Sequence, residues 1–470
     1  MSNTMKTFLN IVLCSTILIG LIVACSDSNP ASPEGDSEIP PVEDPIVEPD
    51  ATTIVDVNET YQTMIGFGGA LTWNSVRIIN SSKKDELIDL IAEDLGMDIL
   101  RLKNWYYPVG YPENKEPNQM VIGWHKPLFD ATNELYDLVI GKSPEIKVLF
   151  SSWGPINTLK SNDRLFRGTL KKQGGEFMYD EYAAYWEDVF DHITFMPDYL
   201  SIQNEPTWVA DWETCEWRPA ETEDFPSYEI AFNMVAENLN KLENPPIMVG
   251  PESANLSFEG FDAFALELQD NPNLDIYGYH PYNFNNDTPL SDMKALLSQM
   301  GQNFSDKPNM MTEYDGLDWM KTAQFINLTM REANTAAYIY WKLVWDAESE
   351  ESMIMIDDNG NYELTKFYYL MKHYAKFVDE GYLRVDVSSD NSELDQVAFL
   401  SPDGDLLTVI SVNPTTSDIA VEYSVSGREV GSGMAYQSLE ADPYRVIDGF
   451  NNDIFSLKSQ SVTTVVLELN

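Results

Sequence analysis

Two glutamates carry the strongest chemical signal in the chain: Glu205 in SIQNEPTW (201–208) and Glu313 in MMTEYDG (310–316). Each follows a short apolar run and precedes a loop, which places each where a strand opens into a cleft. Two carboxyl groups from distant parts of a chain are the minimal equipment for cleaving an acetal such as a glycosidic bond. One must hold a proton for the leaving oxygen while the other attacks or activates water. For Glu205 the alternative is an exposed glutamate before a helix-starting proline. For Glu313 an isolated T-E-Y says little, and its position relative to Glu205 carries the inference.

Further residues fall where such a pair would need partners. Asn204 offers a neutral amide to a sugar hydroxyl beside the breaking bond. Trp153 could stack on the apolar C–H face of a pyranose ring, or be a core tryptophan. Arg101 could orient Glu313 by a charge-assisted hydrogen bond, or belong to a structural ion pair. His280 and Tyr282 follow an apolar run, and either could hydrogen-bond Glu313 or a sugar hydroxyl; a buried, satisfied histidine is the alternative. Trp341 would floor the subsite of the reacting sugar. Trp208, Trp212 and Trp217 lie beyond Glu205 and would extend the cleft wall or pack its loop.

The elements that must position these residues alternate between short apolar strands and amphipathic helices. Strand candidates are 63–70, 99–102, 147–152, 199–204, 246–251, 275–280, 309–314 and 337–343. The run 83–96 places Leu87, Ile91 and Leu95 on one helical face, with Ser82 as N-cap and Gly96 as its stop; 179–193 behaves similarly. Eight such alternations predict an α/β fold, a (β/α)8 TIM barrel over 62–375, with a doubly wound open sheet as the alternative. In such a barrel functional residues sit at the C-terminal strand ends, so Glu205 after strand four and Glu313 after strand seven face each other across the mouth. From about residue 376 short β-rich runs separated by Asp-Gly, Asn-Pro and Ser-Gly predict a β-sandwich domain over 376–470. A strand at 52–61 would join it. The GFGG run (66–69) lacks the third glycine of a dinucleotide fingerprint, since residue 71 is Leu. It reads as close backbone packing at the barrel mouth.

N-E-P after strand four and a glutamate after strand seven resemble the clan of retaining (β/α)8 glycosidases. IGFGGALTWNS (65–75), SSWGPINTLKSN (151–162), GYHPY (278–282) and the attached sandwich resemble glycoside hydrolase family 30 over nearly the whole chain after residue 51. WETCEWRPAETEDF (212–225) looks most like its xylan-cleaving branch. The resemblance implies Glu205 as acid/base, Glu313 as nucleophile, and a retaining endo-type β-glycosidase hydrolysing β-1,4-xylosidic bonds. Members that require glucuronate side chains carry an arginine shortly after the strand-eight tryptophan. Here Lys342 follows Trp341, and Asp346, Glu348, Glu350 and Glu351 come next; glucuronate dependence is not expected. A β-1,6-glucanase or β-glucosidase of the same family is the nearest competing reading. A non-catalytic surface glycan-binding lipoprotein is the competitor from another class.

Charge narrows the partners. The chain carries 76 acids against 29 bases, a net charge of −47, which repels nucleic-acid phosphates and anionic membranes. The expected partner is a polysaccharide or oligosaccharide, acted on by a monomer. No HExxH, Walker A or GxSxG run occurs and the four histidines lack ligand spacing, so neither metal nor cofactor is expected. Lys6 and the apolar stretch 8–25 read as an export signal, and LIVAC resembles a lipobox. Residues 1–25 would be signal and lipobox, with lipid on Cys25; an uncleaved anchor helix is the alternative. Ser26 after Cys25 favours, by resemblance, the outer membrane or cell surface of a Gram-negative bacterium. The Pro-rich, acidic segment 26–51 cannot bury enough surface to order itself and would form a tether. With Cys14 in the signal and Cys25 acylated, Cys215 alone remains and no disulfide can form within the mature chain.

Overall fold

A computed structural model describes residues 48–108, 120–447 and 454–470. The export segment with Cys25 and the tether up to residue 47 lie outside them. Eight strands form a closed barrel: β1 (Gly66–Leu71), β2 (Ile99–Lys103), β3 (Lys147–Ser151), β4 (Tyr199–Ser201), β5 (Ile247–Ser253), β6 (Ile276–Tyr279), β7 (Asn309–Met311) and β8 (Thr335–Tyr340). Every pairing is parallel, and β8 returns to β1 in the register Ala337↔Gly66 to Tyr340↔Gly69. That last pairing excludes an open doubly wound sheet.

Alternation along each strand divides two cores. Ile99, Leu149, Tyr199, Val249, Ile276, Met310, Ala337 and Ile339 fill the interior as one apolar cluster. Leu100, Leu102, Val148 and Phe150 pack outward against the helices. The period of two then aims Arg101 and Lys103 inward above Ile99, placing two cations toward the mouth of an otherwise apolar interior.

Two local expectations need correction. The helix expected over 83–96 starts at Lys84 with Lys83 at its N-cap position and no side-chain cap, so Ser82 does not cap it. Ser81 takes the nearby duty instead: its Oγ accepts the Lys83 N–H at 3.0 Å and donates to the Gly360 carbonyl at 2.7 Å. Leu87, Ile91 and Leu95 are all buried, although the helix widens into a π-turn at Leu90–Asp94. Of the GFGG glycines, Gly66 and Gly68 pack near the start of β1, below the mouth, while Gly69 closes on Leu343 just beyond β8. A Cβ on Gly66 would lie 2.3 Å from Asp98, and one on Gly68 only 2.0 Å from the Ile99 carbonyl oxygen.

Apart from two small sheets, a second large sheet has nine strands: β9 (Leu383–Ser389), β10 (Asp395–Leu400), β11 (Leu406–Asn413), β12 (Ile419–Val425), β13 (Val430–Leu439), β14 (Asp442–Ile447), β15 (Ile454–Leu457) and β16 (Ser461–Leu469), with Ala51–Thr63. This opening strand lies between β9 and β12. The sheet folds back on itself. Ser411 on β11 meets the Tyr423 hydroxyl on β12 at 2.9 Å, though three strands separate them in the order. Val409, Val421, Phe455 and Val465 fill the enclosed core. Helices Trp319–Glu332 and Lys366–Ala375 bind the sheet to the barrel through Arg331–Asp395 and through His373, whose ring nitrogens meet Thr464 and Ser438 at 2.9 and 2.8 Å.

Gly68→Ala should destabilise the protein by about 1–3 kcal/mol or more, because backbone cannot yield to the new methyl. Gly141→Ala, where a Cβ meets nothing within 4 Å in helix Met120–Lys142, should be neutral or stabilising by up to about 1 kcal/mol. Denaturant midpoints of the two variants check this contrast.

Candidate active site

Past Ser201 the chain leaves β4 through a tightly held turn. Asn204 N–H donates to the Ser152 carbonyl at 2.6 Å, and buried Gln203 donates to the Trp153 carbonyl at 2.8 Å. Glu205 then adopts φ +49°, a left-handed conformation that non-glycine residues rarely hold and that Pro206 disfavours further. Its N–H donates to the Glu252 carbonyl at 3.0 Å, while its own carbonyl accepts from Trp208 N–H at 2.9 Å. Glu252, near the end of β5, carries the same handedness at φ +53°. Two neighbouring strand ends thus bend together, and local strain is spent on aiming Glu205.

Arg101 ties the remaining strand ends to one centre. Its guanidinium donates to Glu313 Oε2 at 2.6 Å, Asn204 Oδ1 at 2.6 Å and Ser151 Oγ at 3.2 Å. It also stands 3.1 Å from Glu252 Oε1. Tyr282 donates its hydroxyl to Glu313 Oε1 at 3.0 Å, so both oxygens of Glu313 receive a donor. His280 Nδ1 lies 3.2 Å from Glu205 Oε1, and its Nε2 lies 3.0 Å from Thr312 Oγ1. Carboxylate oxygens of Glu205 and Glu313 and a ring nitrogen of His280 all fall within 4.8 Å of one another. A cation among them would compete with the Arg101 guanidinium, and a protonated His280 has no lone pair to give it.

Charge and burial compete here. Burial raises Glu313 above the ordinary carboxylate range, against the pull of His280 and Arg101 and with a further push from Glu205. Burial alone would lower His280, but the Glu313 charge, the bond to Glu205 and the nearby Glu252 carboxylate push it up to about 9. Burial would raise Glu252, yet Arg101 first and His280 next hold it down at about 2.

An aromatic wall adjoins the pair. The Trp153 and Trp341 rings lie 5.9 Å apart, with the Arg101 guanidinium 4.9 and 5.8 Å from their centroids. Behind Trp153, Lys103 Nζ lies 3.7 Å from the centroids of both Trp73 and Trp105. It pairs with buried Glu213, whose other oxygen lies 2.5 Å from His125 Nε2. Lys103 is lowered to about 8 by burial, with Glu213 opposing. This buried group fastens the loop after Glu205 to β2.

Asn204, Arg101, His280 and Tyr282 therefore converge on the two glutamates, with Trp153 and Trp341 beside them. Arg101 and Tyr282 bond Glu313 as the sequence reading allowed, and His280 departs from it. Arg101 and His280 are fully buried, so they serve the carboxylates and not a substrate, and His280 bonds Glu205 instead of Glu313. Trp208 is not drawn into the cluster; it and Trp212 stand 46% exposed on the following loop, whereas Trp217 is buried and donates to Gln203 Oε1 at 3.1 Å. Sequence reasoning missed Glu252, Lys103 and His125. An acid directly after the apolar run 246–251 was the available signal for Glu252. Nothing in the sequence around Lys103 or His125 shows that they meet Glu213.

Fold and site together define a glycoside hydrolase of the (β/α)8 class with a β-rich companion domain. No family model matches the chain. It is 24% identical to the glucuronoxylanase XynC of Bacillus subtilis (strain 168), over 88% of this chain and 91% of that one. The family 30 subfamily 8 xylanase Xyn30A of Clostridium acetobutylicum superposes with a TM-score of 0.67 at 22% identity, over 89% of this chain and 99% of that one. An endo-β-1,6-glucanase gives 0.68 at 16% identity, over 89% and 94%. Within its class the chain resembles glycoside hydrolase family 30, near the xylanase branch.

Lys103→Met should cost about 3–5 kcal/mol by leaving Glu213 buried with one partner fewer, and Lys103→Met with Glu213→Gln should cost less than the single change. Equilibrium unfolding of the three proteins measures the coupling.

Proposed function

We propose that the protein is a retaining β-glycosidase that cleaves β-1,4-linked xylan-type chains by double displacement. The observation that carries this reading is the Glu205–Glu313 pair, which brings one oxygen of each carboxyl within 4.8 Å of the other and whose surroundings differ. Retaining enzymes hold their carboxyl groups about 5–5.5 Å apart and inverting enzymes about 6.5–9.5 Å apart. Glu313 has both oxygens occupied as acceptors, by Arg101 and Tyr282, an arrangement that holds it in place for attack and leaves the acid/base role to Glu205.

Glu313 attacks the anomeric carbon as Glu205 gives its proton to the departing glycosidic oxygen, leaving a glycosyl ester on Glu313. Glu205, now a carboxylate, takes a proton from water as that water attacks the same carbon. The ester bond breaks, Glu313 returns as carboxylate, and the sugar leaves with its original configuration.

Support for xylan comes from the similarity to the Bacillus glucuronoxylanase. Tolerance of undecorated chains is read from Lys342. Its ammonium is held by Asp315 at 3.0 Å and Glu351 at 2.7 Å, so its charge is spent within the protein. The segment after Trp341 forms a small three-stranded sheet, Val344–Asp346, Ile354–Ile356 and Tyr362–Leu364, whose first connection carries Glu351, while Asp315 follows Glu313 past β7. The fold likeness to an endo-β-1,6-glucanase favours a second reading, cleavage of β-1,6-glucan. Export with lipid on Cys25 completes the proposal: Cys25→Ser should move the protein from the membrane to the soluble fraction and remove the acyl mass of the mature N-terminus. Unchanged fractionation and mass would refute the anchor.

Glu313→Gln should abolish turnover of linear xylan, and Glu205→Gln should lower kcat by about 10²–10⁴-fold. The first product seen by NMR should be the β-anomer. An α-anomer would show inversion, and cleavage of β-1,6-glucan without xylan would establish the second reading.

A further inference from the structure

Glu252 is a third carboxylate in this site, and no step above uses it. It is fully buried. Arg101 and His280 approach its Oε1 at 3.1 and 3.9 Å, yet neither of its oxygens receives a well-aligned hydrogen bond. Burying a carboxylate without such bonds is costly unless its charge does something for its neighbours. The titratable groups facing it are Arg101 from β2, Glu205 past β4, Tyr228 from helix Tyr228–Leu239, His280 and Tyr282 past β6, and Glu313 past β7. Tyr228 and Tyr282 are both held well above their ordinary range by burial and stay neutral.

That leaves two cations, Arg101 and His280, and three carboxyls. Without Glu252, two positive charges would face the Glu205–Glu313 pair and favour ionisation of both glutamates. With Glu252 ionised, the cluster is neutral only when one proton remains on the pair. Double displacement needs that proton count. We propose that Glu252 is a positioning residue that sets the proton inventory of the site, anchoring Arg101 and His280 while cancelling one of their two charges. His280 transmits the effect: doubly protonated, it donates Nδ1–H to Glu205 Oε1 and leaves Oε2 to carry the acid proton.

The inference rests on the glycosidase reading, but it has a readout independent of turnover. The chain contains four histidines, so His280 can be followed by nitrogen-15 NMR and assigned by substitution. In the wild-type protein His280 should remain protonated at pH 8. In Glu252→Gln it should titrate about 1–3 pH units lower, and the alkaline limb of kcat/KM should move down with it. Glu252→Asp keeps the charge and should return most of the limb. A merely structural role would lower activity equally at all pH values without moving either titration. A neutral wild-type His280 at pH 8, or unchanged limb and titration in a folded Glu252→Gln protein, would overturn the proposal. Wild-type protein inactive on every β-glycan would instead refute the glycosidase reading while leaving the histidine titration as a separate result.

Discussion

A guanidinium with no exposure to solvent organises the mouth of this barrel. Arg101 reaches Glu313, Asn204, Ser151 and Glu252 while its face lies against Trp153 and Trp341. Such a charge is tolerable only where several acceptors surround it, and a planar fork suits that arrangement better than a lysine would. The strand ends it joins come from β2, β3, β4, β5 and β7. Any shift in one of them loosens the others, so the positions of Glu313 and Asn204 are consequences of how Arg101 is buried.

The apolar floor makes this arrangement strong. Ile99, Leu149, Val249, Ile276 and Met310 exclude water beneath the charges, and the low dielectric strengthens each polar contact above them. Lys103, one alternation higher on β2, repeats the device with Glu213 and His125 behind the tryptophan wall. One strand therefore supplies two buried cations, one for the reacting carboxylates and one for the loop that follows Glu205. Function and stability share these residues, which is why the mouth of the barrel carries so many paired charges.

Much of this was readable before folding was considered. Eight apolar runs announced the barrel, because parallel strands buried on both faces leave near-continuous hydrophobic stretches. Glu205 and Glu313 were legible because each sits just beyond such a run. Their partners Arg101 and Tyr282 were legible at strand ends together with their bonds to Glu313, whereas Asn204 was legible as a type but not as a partner of Arg101. Ser82 misled because Ser81, one residue earlier, is the side chain drawn to Gly360 across the domain. GFGG misled in part about depth, since Gly66 and Gly68 meet Asp98 and Ile99 below the mouth and only Gly69 meets the segment beyond β8.

By itself the sequence determined the order of strands and helices and the two acids that close them, since period and residue type are local properties. Tertiary structure alone decided which groups touch. Glu252 became part of the site only because β5 bends beside β4; His280 chose Glu205 over Glu313; and Lys342 spent its charge on Asp315 and Glu351. These outcomes depend on ångström distances between residues remote in the chain. Barrel closure sets those distances, and no local pattern encodes them.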